Sequence, residues 1–212
     1  MFKIAVASDN GQVSPHFGHC GGYSIAVIDG DAVVGTGYLE NPGHEPGLLP
    51  RLLAAEQVTC FSGVPSTYAY LLHRSPLRKY RDRLPSLRCC TQAGGHMALR
   101  LKQDLLEALP PHTKLYIMYG ATEAAARLSY VPPERLSQKI DSIGIPIPGV
   151  DITVRDENGR ERRDGEIGEI IASGPNIMPG YWKQPDETAR ALDANGYHTG
   201  DMGYRDSDGF FF

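Results

Sequence analysis

The sequence predicts an α/β protein: a mixed sheet flanked by helices, with a smaller β-rich subdomain toward the C-terminus. Three observations predict it. Between residues 58 and 119 short apolar runs alternate with stretches of helical periodicity, the pattern of strands joined by helices. From Ile143 onward the period changes to two, with turn residues between short strands. The composition, 41% apolar and 22% charged over 212 residues, is that of a globular chain long enough to bury a core.

Residues 3–8 read as a strand, and a Gly- and His-rich loop follows over residues 9–22. Residues 23–28 and 32–39 read as two strands joined at Asp29-Gly30-Asp31, a tight hairpin signal. Pro and Gly make residues 41–47 a rigid loop. Leu49, Leu52, Leu53 and Val58 lie near helical spacing, so residues 48–57 read as a helix. Strands are predicted at 58–61, 87–91 and 114–119, and helices at 68–73 and 97–109, the last closed by Pro110-Pro111. The N-terminal strands are expected to share one sheet with those near Val58, Leu87 and Lys114. Residues 150–154 alternate with period two, Asn158-Gly159 marks a turn, and 168–173 return as a strand. Residues 185–191 read as a short helix with Asp186 and Glu187 in its first turn. Phe210, Phe211 and Phe212 read as an interrupted strand whose apolar edge predicts self-association.

A formal charge of −4 gives no basic field for nucleic acid or an anionic membrane, so neither is an expected partner. No apolar run is long enough to span a bilayer, and the N-terminus reads as a strand rather than a signal peptide. The four cysteines form no CxxC pair, which points to reduced thiols in a cytoplasmic protein.

Residues 57–212 contain several short blocks in a set order. They are Gly63-Val64-Pro65-Ser66-Thr67-Tyr68, Gln92-Ala93-Gly94-Gly95-His96-Met97, Met118-Tyr119-Gly120-Ala121-Thr122-Glu123 and Ser142-Ile143-Gly144-Ile145-Pro146. Gly165-Glu166-Ile167-Gly168-Glu169, Gly174-Pro175-Asn176, Gly180-Tyr181-Trp182 and Thr199-Gly200-Asp201 follow. Tyr119-Gly120-Ala121-Thr122-Glu123 comes directly after a predicted strand, at the carboxyl end where open α/β sheets bind ligands. Gly120 permits close backbone approach, Thr122 offers a hydroxyl to a phosphate oxygen, and Glu123 offers a hard oxygen to Mg²⁺. Taken singly, Thr-Glu after a strand is an ordinary helix start, and Gly94-Gly95 and Thr199-Gly200-Asp201 are ordinary turns. His73, His112 and His198 read as surface or capping residues.

The joint order of these blocks resembles the adenylate-forming (AMP-binding) acyl-CoA synthetase superfamily. The resemblance implies an ATP-dependent ligase that adenylates a carboxylic acid and transfers it to coenzyme A, with ATP or AMP and Mg²⁺ bound. By resemblance Tyr119 stacks on adenine, Thr122 contacts the α-phosphate, Glu123 helps hold Mg²⁺ and Asp201 binds the ribose hydroxyls. Gly94 and Gly95 match glycines that leave room for adenine and the acyl group; His96 replaces a residue that is usually small. The family's Ser/Thr/Gly-rich phosphate loop and its lysine-bearing C-terminal domain have no match in these residues. The expectation is therefore a piece of such an enzyme, with a residual nucleotide site and no turnover by itself. Within it, residues 57–142 correspond to the α/β part and residues 143–212 to the β-rich part.

Residues 1–56 are expected to form a different half-module. Lys3-Ile4-Ala5-Val6-Ala7-Ser8, Val13-Ser14-Pro15-His16-Phe17-Gly18-His19-Cys20 and Glu40-Asn41-Pro42-Gly43-His44-Glu45-Pro46-Gly47 resemble the first half of the dinitrogenase iron–molybdenum cofactor biosynthesis domain. The resemblance implies an iron–sulfur or iron–molybdenum cluster ligated by His16, with His19 and Cys20 behind it. The alternative is a loop whose His and Phe pack locally. Together the two resemblances imply a chimera joined near residues 54–57, for which a purely structural role is a third reading.

Overall fold

The computed structural model describes residues 1–14, 20–41 and 47–212. The chain is α/β and divides into two compact units, residues 1–90 with 103–114 and residues 91–102 with 115–212.

In the first unit, β1 (Phe2–Asp9), β2 (Gln12–Val13), β3 (Gly22–Asp29) and β4 (Ala32–Glu40) form an antiparallel sheet in the order β2-β1-β3-β4. Asn10 and Gly11, at φ 52 and 80, make the two-residue turn between β1 and β2. Gly30, at φ 57, sits in the β3–β4 turn that Asp29-Gly30-Asp31 predicted. These strands form a sheet of their own, separate from the strands near Val58, Leu87 and Lys114, which corrects the expectation of one shared sheet. Short hairpins pair their strands with little loop-closure entropy, so local partners win over distant ones. Ala7, Cys20 and Tyr23 form a small core against Leu39 and Leu52.

Then α1 (Leu48–Ala55) buries Leu48, Pro50 and Leu53. It is followed by β5 (Cys60–Gly63), two residues later than predicted, and α2 (Pro65–His73), which starts on proline and buries Tyr68 and Leu71. The segment Leu77–Arg83 is a 3₁₀ helix that the sequence pattern did not reveal. β6 (Cys89–Gln92) lies beside β5, with the amides of Arg88 and Cys89 both donating to the Thr59 carbonyl. The later turns of α3 (Leu99–Ala108) complete this unit, with Leu105 and Ala108 fully buried.

In the second unit, β7 (Lys114–Tyr119) pairs antiparallel with β8 (Ser129–Val131), which pairs with β9 (Ile145–Pro146). β10 (Asp151–Arg155), β11 (Gly168–Ser173), α4 (Pro185–Ala191), β12 (Leu192–Asp193) and β13 (Gly196–Gly203) follow. The four late strands make a sheet in the order β10-β11-β13-β12. Ile152 and Val154 face inward by strict alternation and meet Ile170 and Ala172 of β11, Val150, Leu128 and Phe211. Phe210 and Phe211 are buried, and Phe212 stacks on Tyr204 at 5.1 Å between ring centroids. The main chains of Tyr204 and Phe212 also exchange two hydrogen bonds, of 3.0 and 2.9 Å. The apolar edge expected at Phe210–212 is therefore covered within the unit, which removes the physical ground for self-association there.

Candidate functional site

The site grows from the carboxyl end of β7. Tyr119 is its last residue, and the chain turns at Gly120, where a Cβ would meet the Ala126 carbonyl oxygen at 2.5 Å. Only glycine allows that approach. Thr122–Ala124 form one 3₁₀ turn, and Ala125 and Ala126 then adopt left-handed φ of 46 and 71. Two non-glycine residues in that region hold strain, so the surroundings must fix them. Asn176 does so: its amide donates to the carbonyls of Ala124 (2.9 Å) and Arg127 (2.8 Å). The Met178 amide donates to the Glu123 carbonyl at 2.7 Å.

Asp201 reaches the same place from β13. Glu169 pairs with Met202, yet Ile171 pairs with His198, so β13 bulges outward over residues 199–201. Gly200, at φ 75, takes the left-handed position that such a bulge needs. Thr199-Gly200-Asp201, which alone reads as a turn, is thus the bulge of a strand. Thr199 Oγ1 donates to the Ile170 carbonyl at 2.7 Å and accepts the Asp201 amide at 3.1 Å. Glu169 accepts the Gly200 amide at 3.1 Å and holds His198 Nδ1 at 2.9 Å, while His198 Nε2 lies 3.3 Å from Asp193. The Glu169 hydrogen bond raises the His198 pKa. His198, read as a surface or capping residue, is therefore part of the bulge's support.

The two pieces meet. Tyr119 Oη donates to Asp201 Oδ2 at 2.6 Å, across 82 residues of sequence. Burial, and then this hydrogen bond to a carboxylate, push the Tyr119 hydroxyl pKa well up, so it stays a donor. Tyr119, Gly120, Asp201, Gly94, Gly95 and Lys102 line one cavity of about 450 Å³. Gly94 and Gly95 have φ of 79 and 148, and Gln92 fixes their loop by donating to the Gly95 carbonyl at 2.8 Å. Thr122 is exposed on the turn just past this lining.

Glu123 sits on the same turn, and its Oε1 accepts the Tyr181 hydroxyl at 2.7 Å. That bond, assisted by the Tyr197 hydroxyl, lowers the Glu123 pKa and keeps the group ionised at neutral pH. Tyr197 itself is pushed up to about 12, first by burial. The sequence blocks contained Tyr181 and Asn176 but assigned them no role; only their contacts with residues 123–127 reveal one. An ionised carboxylate suits Mg²⁺, which is commonly held by one or two carboxylates together with substrate phosphates. Among the described residues, no group of three or more His, Cys, Asp or Glu side chains converges as a metal site.

Of the N-terminal candidates, His16 and His19 lie outside the described residues. Cys20 is 3% exposed, packed with Ala7 and Tyr23, and its carbonyl accepts the Asn41 amide at 2.8 Å. A thiol enclosed in an apolar core is poorly placed as a cluster ligand. Among the described residues, no helix is long and apolar enough to cross a membrane.

Comparison with known proteins decides the family, because the profile of the AMP-binding enzyme family matches residues 16–182. The chain belongs to the AMP-binding enzyme family. This AMP-binding chain is 32% identical over 188 residues to the long-chain-fatty-acid–CoA ligase of Bacillus subtilis, covering 88% of the chain and 33% of that protein. It is 34% identical over 150 residues to the 2-succinylbenzoate–CoA ligase of Geobacillus kaustophilus, covering 70% of the chain and 30% of the relative. Among solved structures it resembles VinN (36% identity, TM-score 0.70, 77% of this chain and 41% of that one). It also resembles the amide bond synthetase McbA of Marinactinospora thermotolerans (26% identity, TM-score 0.71, 80% and 34%). The chain thus spans about a third of the length of the curated relatives it matches. The family match begins at residue 16 and takes in much of the segment whose motifs pointed elsewhere. The dinitrogenase likeness, the cluster and the junction near residues 54–57 find no support in these comparisons.

Proposed function

We propose that this chain supplies the adenine- and ribose-binding part of an ATP-dependent enzyme that adenylates a carboxylic acid and passes the acyl group to coenzyme A. The observation that supports it is the Tyr119–Asp201 hydrogen bond at the wall of a glycine-floored cavity. Tyr119 offers its ring face to adenine. Asp201, with Oδ2 held by the phenol, keeps Oδ1 for the ribose hydroxyls. Gly94, Gly95 and Gly120 leave backbone space beside the base and the acyl group. Thr122 takes the α-phosphate, and Glu123 is the protein ligand for Mg²⁺. When bound, that ion supplies charge neutralisation at the phosphates. In the reaction a carboxylate oxygen attacks the α-phosphorus and pyrophosphate leaves; the coenzyme A thiol then displaces AMP. On this reading residues 57–142 and 143–212 contribute the α/β and β-rich parts of the site.

Calorimetric titration with AMP tests the reading. Losing a hydrogen bond to a charged group costs about 1.5–3 kcal/mol, so Asp201→Ala is expected to weaken AMP roughly 10- to 150-fold. Equal affinity in the variant, or no AMP binding to the parent chain, refutes it. These 212 residues by themselves are expected to bind AMP without releasing pyrophosphate from ATP, Mg²⁺ and a panel of acids.

A further inference from the structure

Lys102 is an unusual residue for its place. It lies in the first turns of α3 and is 3% exposed, yet it lines the same cavity as Tyr119 and Asp201. Removing an ammonium from water is strongly unfavourable unless acceptors replace the lost hydration. The protein provides one acceptor, the Ile140 carbonyl at 2.7 Å. Of the three N–H donors on the ammonium, that bond uses one. Desolvation lowers the Lys102 pKa, and Asp141, which also lines the cavity, acts against it. A neutral side chain with a donor would tether Ile140 at lower desolvation cost. The placement of a charge here therefore fits an anionic ligand group better than a simple tether.

The lining around it divides by chemistry. Tyr119 and Asp201 come from the end of β7 and the bulge of β13, and Asp201, an anion, suits hydroxyl donors rather than acids. Lys102, Asp141, Ser142 and Ile143 line the same cavity, as do the apolar Met97 and Ile117. A carboxylate that is being adenylated loses its charge as the mixed anhydride forms. A second carboxylate on the same substrate stays anionic throughout, and that lasting charge is what a fixed buried cation can hold.

Building on the nucleotide reading above, we propose that Lys102 is a specificity residue that selects dicarboxylic acids, one carboxylate being activated while the other pairs with the Lys102 ammonium. The test uses the whole chain with two probes of equal length, glutarate and pentanoate, titrated by saturation-transfer NMR, with AMP titrated on the same samples. The parent chain is expected to bind glutarate at least about tenfold more tightly, the range of a charge-assisted hydrogen bond. Lys102→Gln keeps a donor for the Ile140 carbonyl and is expected to bring the two acids within about twofold while the fold is retained, since only the charge-assisted bond is lost. Lys102→Met serves as the second variant, and circular dichroism checks the fold of both. No preference in the parent chain, a preference that survives both substitutions, or no acid binding while AMP binds overturns the proposal. A glutarate preference that depends on Lys102 in a chain that ignores AMP supports the subsite and removes the nucleotide reading instead.

Discussion

An alanine at Gly120 would place its Cβ 2.5 Å from the Ala126 carbonyl oxygen, 2.8 Å from Arg127 Cα and 2.9 Å from the Ala126 carbonyl carbon. All three neighbours are main-chain atoms, so no side-chain rotamer can relieve the overlap. They are also held in place: the Ala126 amide donates to the Ala121 carbonyl at 3.1 Å, and Asn176 clamps the carbonyls of Ala124 and Arg127. Overpacking of this kind costs about 1–3 kcal/mol. For a chain of this size each kcal/mol lowers Tm by roughly 2–4 °C, so Gly120→Ala is expected to melt about 2–12 °C below the parent. Gly149→Ala is the control: Gly149 also has positive φ, at 83, but nothing lies within 4 Å of a Cβ there. Its cost is backbone strain alone, about 1–2 kcal/mol, with no main-chain overlap to displace Tyr119. Calorimetry on the three proteins, with an AMP titration of each, separates the cases. If the main chain yields, Tyr119 shifts away from Asp201 and nucleotide affinity falls along with Tm. A Gly120→Ala protein with the Tm and AMP affinity of the parent would show that the turn is not held as described.

Three further outcomes follow from the same contacts. Asn176→Ala removes two hydrogen bonds to the strained turn and is expected to cost about 1–3 kcal/mol, with Asn176→Asp no better because a carboxylate cannot donate; thermal melts check both. His198 has a raised pKa in the fold, so its contribution is complete below about 6.5, its ordinary value, and is lost as pH rises through the raised value. NMR titration of the imidazole, with Glu169→Gln moving it back toward the ordinary value, measures this. Glu123 has a lowered pKa, so its contribution is present above its ordinary value of about 4.3 and is lost as pH falls through the depressed one. Tyr181→Phe removes the largest cause and is expected to raise the Glu123 pKa and flatten the acid limb of stability; an unchanged acid limb would show that the phenol does not set it.

Much of the architecture was legible because local signals are short-range. The alternation of short apolar runs with helical stretches located the strand at Lys114–Tyr119, the period-two region and its turns located Gly168–Ser173, and two acids in a first turn located the helix at Pro185–Ala191. The 3₁₀ helix at Leu77–Arg83 was not legible, since it has neither a clear period nor a side-chain cap. The short strand Ser129–Val131 exists because β7 offers it a ladder, which no local pattern reports. The blocks around Gly94, Tyr119 and Asp201 were visible as motifs, and their order along the chain carried the family.

The sequence by itself determined which side chains are available: a tyrosine, a threonine and a glutamate after one strand, two glycines after another, and an aspartate 82 residues away. Tertiary structure alone decided that Tyr119 and Asp201 share a hydrogen bond, because the bulge in β13 has meaning only against the register of β11. It alone decided that Tyr181 hydrogen-bonds Glu123, that Asn176 braces two left-handed alanines and that Lys102 lines the cavity. The physical reason is range. Backbone preferences act over a few residues, whereas burial, hydrogen bonding and the resulting shifts in pKa depend on distances that only folding sets.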